Sequence, residues 1–338
     1  MTKVSVVIPT KDRKDDLLRL LDCLKSQIVL PFEVIVVDSS NEPLVLSDLP
    51  NMDYLQIIRS QPSVCVQRNV GIEAAKGDYI LLCDDDVYFE ENYIEQLLAH
   101  KESQKNVVAV TGLWYQQSSN GSWEYCYPSR NIVELLKCWL FKLSLWGPVD
   151  EVHIAGWLNP ILGGIKNAYL TKPNFVTSAG WPVYHNFDGQ VIKTPVTSLG
   201  SALINSQDLK ANQYDEVLDP YGYGDNYDVC AKLTKDGGQI HVLKSLVVKH
   251  YQSKQNRASL LTAQYRRTLA LAYFVKAYQY FNTSFVSFIW SLFGLLLTSI
   301  LSLNLSKSRI YIKALFLVLT NQNPYVVGKK KSKKVVIP

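Results

Sequence analysis

Hydrophobic and polar positions follow two alternating rhythms over the first 115 residues. Runs rich in β-branched residues at Val4 to Ile8, Glu33 to Val37, Tyr54 to Ile58, Tyr79 to Leu82 and Val107 to Val110 predict buried strands. Between them Leu17, Leu20, Leu21 and Leu24 recur at the i, i+3, i+4, i+7 spacing of one helix face. Ser63 to Ala75 predicts a second helix, with Ser63 at its start and Gly77 placed for a left-handed cap. Tyr93, Leu97 and Leu98 mark a third. Strands alternating with helices predict an open α/β domain with a mostly parallel sheet and flanking helices.

From Leu113 to about Tyr251 the periodicity loosens into aromatic, Gly- and Pro-rich sequence, with Trp114, Trp123, Trp139, Trp146, Trp157 and Trp181. Long aromatic loops of this kind shape binding surfaces. Ala277 to Ser306 then contains no Asp, Glu, Lys or Arg. Ser284 to Leu303 has the length of a membrane span, about 20 residues. Its Ser and Thr residues keep open a helix lying in the membrane interface instead. Three segments follow: 1–115, 116–255, and an apolar, membrane-associated helical region at 256–338.

Composition narrows the function classes. A chain of 338 residues, 47% apolar, buries a substantial core. Its net charge of +5 resides in Lys329, Lys330, Lys331, Lys333 and Lys334; without them the 30 remaining basic residues balance 30 acidic ones. One terminal run is not a nucleic-acid-binding face, but beside an apolar segment it suits an anionic membrane surface. The six cysteines show no CxxC pair, which reads as buried small hydrophobes in a reducing compartment. The charged run from Lys11 to Asp16 so near the start argues against a signal peptide and for a cytoplasmic catalytic part.

In open α/β sheets ligands sit beyond the carboxyl ends of the strands. Asp38 ends the second strand and Asp84, Asp85 and Asp86 end the fourth, so both face one crevice if those strands are near neighbours. Three consecutive carboxylates repel one another, and a divalent cation is the usual physical reason to tolerate them. Extended geometry puts Asp84 and Asp86 on one side and Asp85 on the other. Asp86 is then the direct ligand of Mg2+ or Mn2+, with Asp84 on a ribose or a metal-bound water.

Four ordered blocks carry a resemblance: Ser5 to Thr10, Glu33 to Ser40, Gln67 to Gly71, and Gly77 to Asp86. The succession resembles the inverting family-2 glycosyltransferases with the GT-A fold, strongly over the first 115 residues and moderately over 195–251. The resemblance implies that Pro9 and Thr10 lie under the nucleotide base and that Asp38 accepts from base or ribose. It implies that Arg68 and Asn69 flank nucleotide and phosphates, and that Asp84 and Asp86 hold the cation bridging the donor diphosphate. His250, after the strand Leu246 to Lys249, matches a histidine completing the metal shell. Gly200 and Ser201 match a small-residue segment on the acceptor side. His153, His185 and His241 stand at no distinctive spacing.

An inverting transfer needs a base for the acceptor hydroxyl. Tyr221 to Asp228 resembles the family's Gly-Glu-Asp-x-Asp block, but Asn226 occupies the acidic position that often supplies the base. Asp225 or Asp228 remains for the role, Asp228 being equally readable as a helix cap. The expected function is metal-dependent transfer of a sugar from a nucleoside diphosphate sugar to a hydroxyl of a glycan acceptor, lipid-linked, for surface polysaccharide. The alternatives are a membrane-attached nucleotide-sugar-binding scaffold that has lost its base, and a nucleotidyltransferase, which lacks a Gly-rich basic loop after the first strand. The positive charges after Ser284 to Leu303 predict an in-plane or re-entrant element on the cytoplasmic membrane face rather than a single crossing.

Overall fold

The computed structural model describes residues 2–118, 120–128, 130–218, 222–253, 255 and 258–328; Tyr221 and the five tail lysines lie outside them. Two compact units replace the three segments expected: residues 1–126 with 188–257, and residues 127–187 with 258–338. The middle segment is thus divided, its part from 127 to 187 folding with the C-terminal helices.

The first unit opens with β1 (Val4–Thr10), α1 (Lys14–Lys25), β2 (Glu33–Asp38), β3 (Leu55–Arg59), α2 (Val64–Ala74), β4 (Tyr79–Cys83), β5 (Val87–Phe89), α3 (Tyr93–Ser103), β6 (Val107–Gln117) and β7 (Trp123–Tyr125). The chain then enters the second unit with α4 (Ile132–Phe141), β8 (Leu145–Trp146), α5 (Asn159–Leu170), β9 (Phe175–Val176) and β10 (Pro182–Tyr184). It returns to the first with β11 (Val191–Thr194), β12 (Ser201–Asn205), α6 (Ser206–Ala211), α7 (Asp225–Thr234) and β13 (Gln239–His250). The second unit ends with α8 (Leu260–Ala277), α9 (Phe285–Leu301) and α10 (Leu305–Leu319).

The large sheet of the first unit runs β11-β13-β6-β12-β4-β1-β2-β3. β1 pairs in parallel with β2 on one side and β4 on the other, so the carboxyl ends bearing Asp38 and Asp84 are neighbours across one strand. β12 is antiparallel to both β4 and β6, which makes the sheet mixed. Val6, Val7, Ile8 and Val34 to Val37 are all fully buried. A central strand covered on both faces needs such an unbroken apolar run, not alternation. Leu17, Leu20, Leu21 and Leu24 of α1 pack with Val4, Val6 and Ile8 in the core of this unit, as the helical spacing predicts.

Ser63 caps α2, its hydroxyl accepting from the Val66 N–H at 3.2 Å. Gly77 does not form the left-handed cap: the helix ends at Ala75 in extended backbone, and Gly77 does not have positive φ. Its glycine requirement is steric, because a Cβ there would lie 2.7 Å from the Ser5 nitrogen and 2.8 Å from the Lys3 oxygen.

In the second unit a small sheet, β8-β10-β9, packs with Leu135, Cys138 and Phe141 of α4 around Tyr169 and Val183. Leu295 and Leu297 of α9 border that cluster. Among the described residues no helix is long and apolar enough to cross a membrane. All six cysteines are free thiols, five of them buried.

Gly77→Ala is expected to cost about 1–3 kcal/mol, because main chain of β1 must shift to admit the methyl group. The measurement is the denaturant midpoint, which should fall at unchanged slope.

Candidate active site

The crevice beyond the carboxyl ends of β1, β2 and β4 is lined by buried charge. Thr10 and Asp38 are paired residues at the ends of β1 and β2. Asp38 is fully buried and accepts from the backbone N–H groups of Ser40 at 2.8 Å and Leu44 at 3.0 Å, and from Arg59. Burial opposes its ionisation, but these hydrogen bonds prevail and hold its carboxyl below the ordinary range. Pro9 is buried within β1.

The three consecutive aspartates do not alternate as an extended strand would; the chain turns there, and each takes a different partner. The Asp84 carboxylate accepts from Arg68 at 2.7 Å. Asp85 accepts from the Thr10 hydroxyl at 2.8 Å and from Arg13 at 3.0 Å. Asp86 accepts from the Ser253 N–H at 3.0 Å and faces His250 Nε2 at 3.3 Å. Asp85 and Asp86 are buried, 3% and 4% exposed, so they do not stand at a solvent-facing strand end. Their environments drive them apart. Burial, with the charge of Asp86 adding to it, pushes Asp85 up to about 7 despite Arg13. Burial also opposes the charge on Asp86, but the His250 interaction and the Ser253 N–H draw it down to about 2.

Arg68 joins the two sides of the crevice. Its guanidinium, only 6% exposed, bridges Asp84 at the end of β4 to Asp225 at the start of α7. Burial disfavours that charge, yet Tyr214, Asp225 and Asp84 more than compensate and raise its pKa. Asp225 responds the other way: burial raises its carboxyl above the ordinary range, and Arg68 offsets only part of the rise. Two glycines make this packing possible. A Cβ on Gly200 would lie 2.1 Å from the Asp84 carboxylate, and Gly222, at φ +60°, lies where a Cβ would strike Val64 at 2.2 Å.

Other expected residues are placed differently. Asn69 is occupied by main chain, its amide nitrogen donating to the Tyr214 oxygen and its oxygen accepting the Tyr214 N–H, each at 3.0 Å. Ser201 is fully buried in β12 and bonded to Thr111 at 2.9 Å, so it faces no acceptor; tight strand packing explains the small residue. Asp228 is fully buried, ion-paired to Lys232 at 2.5 Å, and accepts from the Asp215 N–H at 3.1 Å. These bonds tie α7 to the preceding segment. Arg13, Arg59, Gln67 and Tyr214 went unrecognised. Gln67 alone carried a signal, lying beside Arg68 and Asn69; its amide donates to the carbonyls of Thr10 and Val37, both at 2.8 Å, fastening α2 to β1 and β2.

Among the described residues no group of three His, Cys, Asp or Glu is gathered around a common point, so Asp84 does not join Asp86 and His250. The pair alone suits a nucleotide-bound cation, which draws other ligands from phosphate and water. Among the described residues His250 Nδ1 is buried without a hydrogen-bond partner, while its Nε2 faces Asp86.

This mixed sheet, with its acidic crevice at the carboxyl ends of the parallel strands, is a GT-A-like α/β fold. Over residues 5–158 the chain matches Glycosyl transferase family 2. The uncharacterized glycosyltransferase YwdF of Bacillus subtilis is 30% identical over 125 residues, 36% of this chain and 46% of that protein. A glucosyl-dolichyl phosphate glucuronosyltransferase of Haloferax volcanii is 32% identical over 117 residues, 32% of this chain and 37% of that one. The chain thus spans less than half the length of these curated relatives. The crystal structure of GalNAc-T7 with UDP, GalNAc and Mn2+ covers 95% of this chain and 56% of that chain, at a TM-score of 0.55 and 12% identity, a likeness of fold alone.

Arg68→Met would leave Asp84 and Asp225 without their shared cation, at a cost of about 3–5 kcal/mol. Adding Asp225→Asn should recover part of that loss, and a double-mutant cycle on chemical unfolding measures how much.

Proposed function

We propose that the chain is a metal-dependent inverting glycosyltransferase that moves a sugar from a nucleoside diphosphate sugar to a hydroxyl of a lipid-linked glycan acceptor, in surface polysaccharide synthesis at the cytoplasmic face of a membrane. The observation carrying this reading is the bridge from Asp84 through Arg68 to Asp225, which sets a donor-side carboxylate and a candidate base against one buried guanidinium. The Haloferax relative, named for a dolichyl phosphate glycan, supports a lipid-linked acceptor, and the Mn2+ and UDP of GalNAc-T7 support a cation and nucleotide donor.

Asp225 is the base in this reading. Asp228 is wholly buried against Lys232, whereas the Asp225 side chain keeps some access to solvent, and Asn226 has no proton-accepting group at neutral pH. A carboxyl raised by burial is a stronger proton acceptor near neutrality than an ordinary aspartate. Arg68 holds it in place and presents positive charge toward the donor phosphates. Asp38, with its carboxylate ionised and ordered, accepts from base or ribose. Asp86 and His250 would hold Mg2+ or Mn2+, whose contribution is to stabilise negative charge on the departing nucleoside diphosphate.

The test is a screen of nucleoside diphosphate sugars by thermal shift with Mn2+, followed by transfer assays on the stabilising donor. Donor binding with no turnover on any glycan acceptor would favour the scaffold and defeat the enzyme reading. Asp225→Asn should lower kcat by orders of magnitude with donor affinity near that of the unsubstituted chain. Because the ionised form is the base, kcat should fall as pH drops through the raised pKa of Asp225, by about tenfold per unit below it. Asp86→Asn should abolish the Mn2+-dependent part of donor stabilisation. The amide is the better substitution here, since it leaves an acceptor for the Ser253 N–H that alanine would remove.

A further inference from the structure

Three helices of the second unit, α4, α9 and α10, leave large apolar residues exposed. In α9 the small and polar residues Ser291, Gly294 and Ser299 are buried beside Phe288 and Leu292. The Ser291 hydroxyl accepts from Trp181 Nε1 at 2.9 Å and donates to the Phe288 oxygen at 2.7 Å. Ser299 bonds Ser308 of α10 at 2.9 Å, and a Cβ on Gly294 would lie 2.2 Å from the Phe141 ring of α4. The opposite side of α9 shows Val286, 79% exposed, then Trp290, Phe293 and Ile300 at helical spacing.

α4 is apolar on both sides. Leu135, Cys138 and Phe141 face inward, while Val133, 71% exposed, Leu136, Trp139 and Leu140 face out. The two helices are joined within the patch, Trp290 Nε1 donating to the Leu140 oxygen at 2.9 Å beside the Phe141 ring at 5.4 Å. α10 turns Leu305, Ile312, Phe316 and Leu319 outward. Burying apolar area is worth about 25 cal/mol per Å2, and contiguous exposed apolar patches mark surfaces that meet something other than water.

Charge identifies what meets them. Residues 258–338 contain eleven Lys and Arg and no Asp or Glu, so the other 257 residues hold all 30 acidic residues against 24 basic ones. Arg309 and Lys313 stand exposed on α10 among its outward apolar residues. A second copy of the same face would bring like charges together; an anionic lipid surface offers the opposite sign. At 17 and 15 residues, α9 and α10 are about 25 Å and 22 Å long, short of the roughly 30 Å hydrocarbon core.

We infer that α4, α9 and α10 together form a monotopic docking face that lies in one leaflet of an anionic phospholipid bilayer, apolar side chains below the headgroups and lysines and arginines at the phosphates. Contact thus comes from residues 132–141 as well as from the C-terminal helices, which the sequence pattern alone does not indicate. The inference deepens the reading of a membrane-held acceptor. Vesicle binding requires neither donor nor turnover, so each fails independently of the other.

The experiment is flotation of the full chain with phosphatidylcholine vesicles, with and without phosphatidylglycerol. The chain should float with the anionic vesicles and bind about tenfold less to phosphatidylcholine alone. Val133→Glu with Leu140→Glu should lower binding about tenfold or more with an unchanged thermal midpoint, both side chains standing outside the core. A second measurement needs no variant that risks the fold: brominated lipids should quench tryptophan fluorescence of the unsubstituted chain, and Trp139→Phe with Trp290→Phe should remove that quenching. Absence of flotation, equal flotation of the glutamate variant, or absence of quenching would overturn the inference. A chain that sediments at twice its mass and ignores vesicles would assign the face to a second copy and overturn it as well.

Discussion

One buried guanidinium holds the acidic crevice together. Arg68 is carried on a helix fastened to β1 and β2 by Gln67, and it reaches a strand end on one side and the start of α7 on the other. Taking that cation out of water is costly unless its charge is met at close range. Asp84 and Asp225 meet it, and Tyr214 covers it as an aromatic face 5.0 Å away. The surrounding geometry follows from that pairing: Gly200 has to lack a side chain for Asp84 to stand where it does, and Gly222 has to leave room for Val64 at the base of α2.

The aspartate cluster shows a second effect of burial. Identical side chains at 84, 85 and 86 are directed to Arg68, to Arg13 with Thr10, and to His250 with a backbone N–H. Mutual repulsion is relieved by separation into three environments rather than by three carboxylates converging on one ion. Asp86, drawn down by His250 and a backbone N–H, is better suited to hold positive charge than Asp85, which is held up near neutrality.

Element types in the first 115 residues were legible because central parallel strands must be apolar throughout and covering helices must show one apolar stripe. Val34 to Val37 and Leu17, Leu20, Leu21 and Leu24 could hardly be read otherwise. Asp38, Arg68, Asp84 and Asp225 could be singled out by motif and by strand ends. Hidden from a linear reading were the partners supplied from far along the chain. Arg13 finding Asp85, Arg59 finding Asp38 and Asn69 turning to Tyr214 depend on three-dimensional neighbours that no local period encodes. Ser201 misled for a related reason: a small residue in a tightly packed internal strand looks the same as one lining a cleft. The loosened pattern after Leu113 concealed that residues 127–187 leave the first unit altogether, since unit membership is decided by which apolar faces meet.

The sheet order has a consequence for how the chain acquires its structure. β12 and β13 lie inside the sheet, flanking β6, yet they are made only after the excursion through residues 127–187. As the chain emerges from the ribosome, β4 and β6 must wait for β12 to fill the place between them, and Asp86 must wait for His250. Such pairings close long loops before they gain stabilising contacts, and this slows folding. The N-terminal half therefore lacks two strands of its own sheet, β12 and β13. Until β12 is in place β4 has an unpaired edge, and until β13 is in place β6 has one, each open to association with other chains.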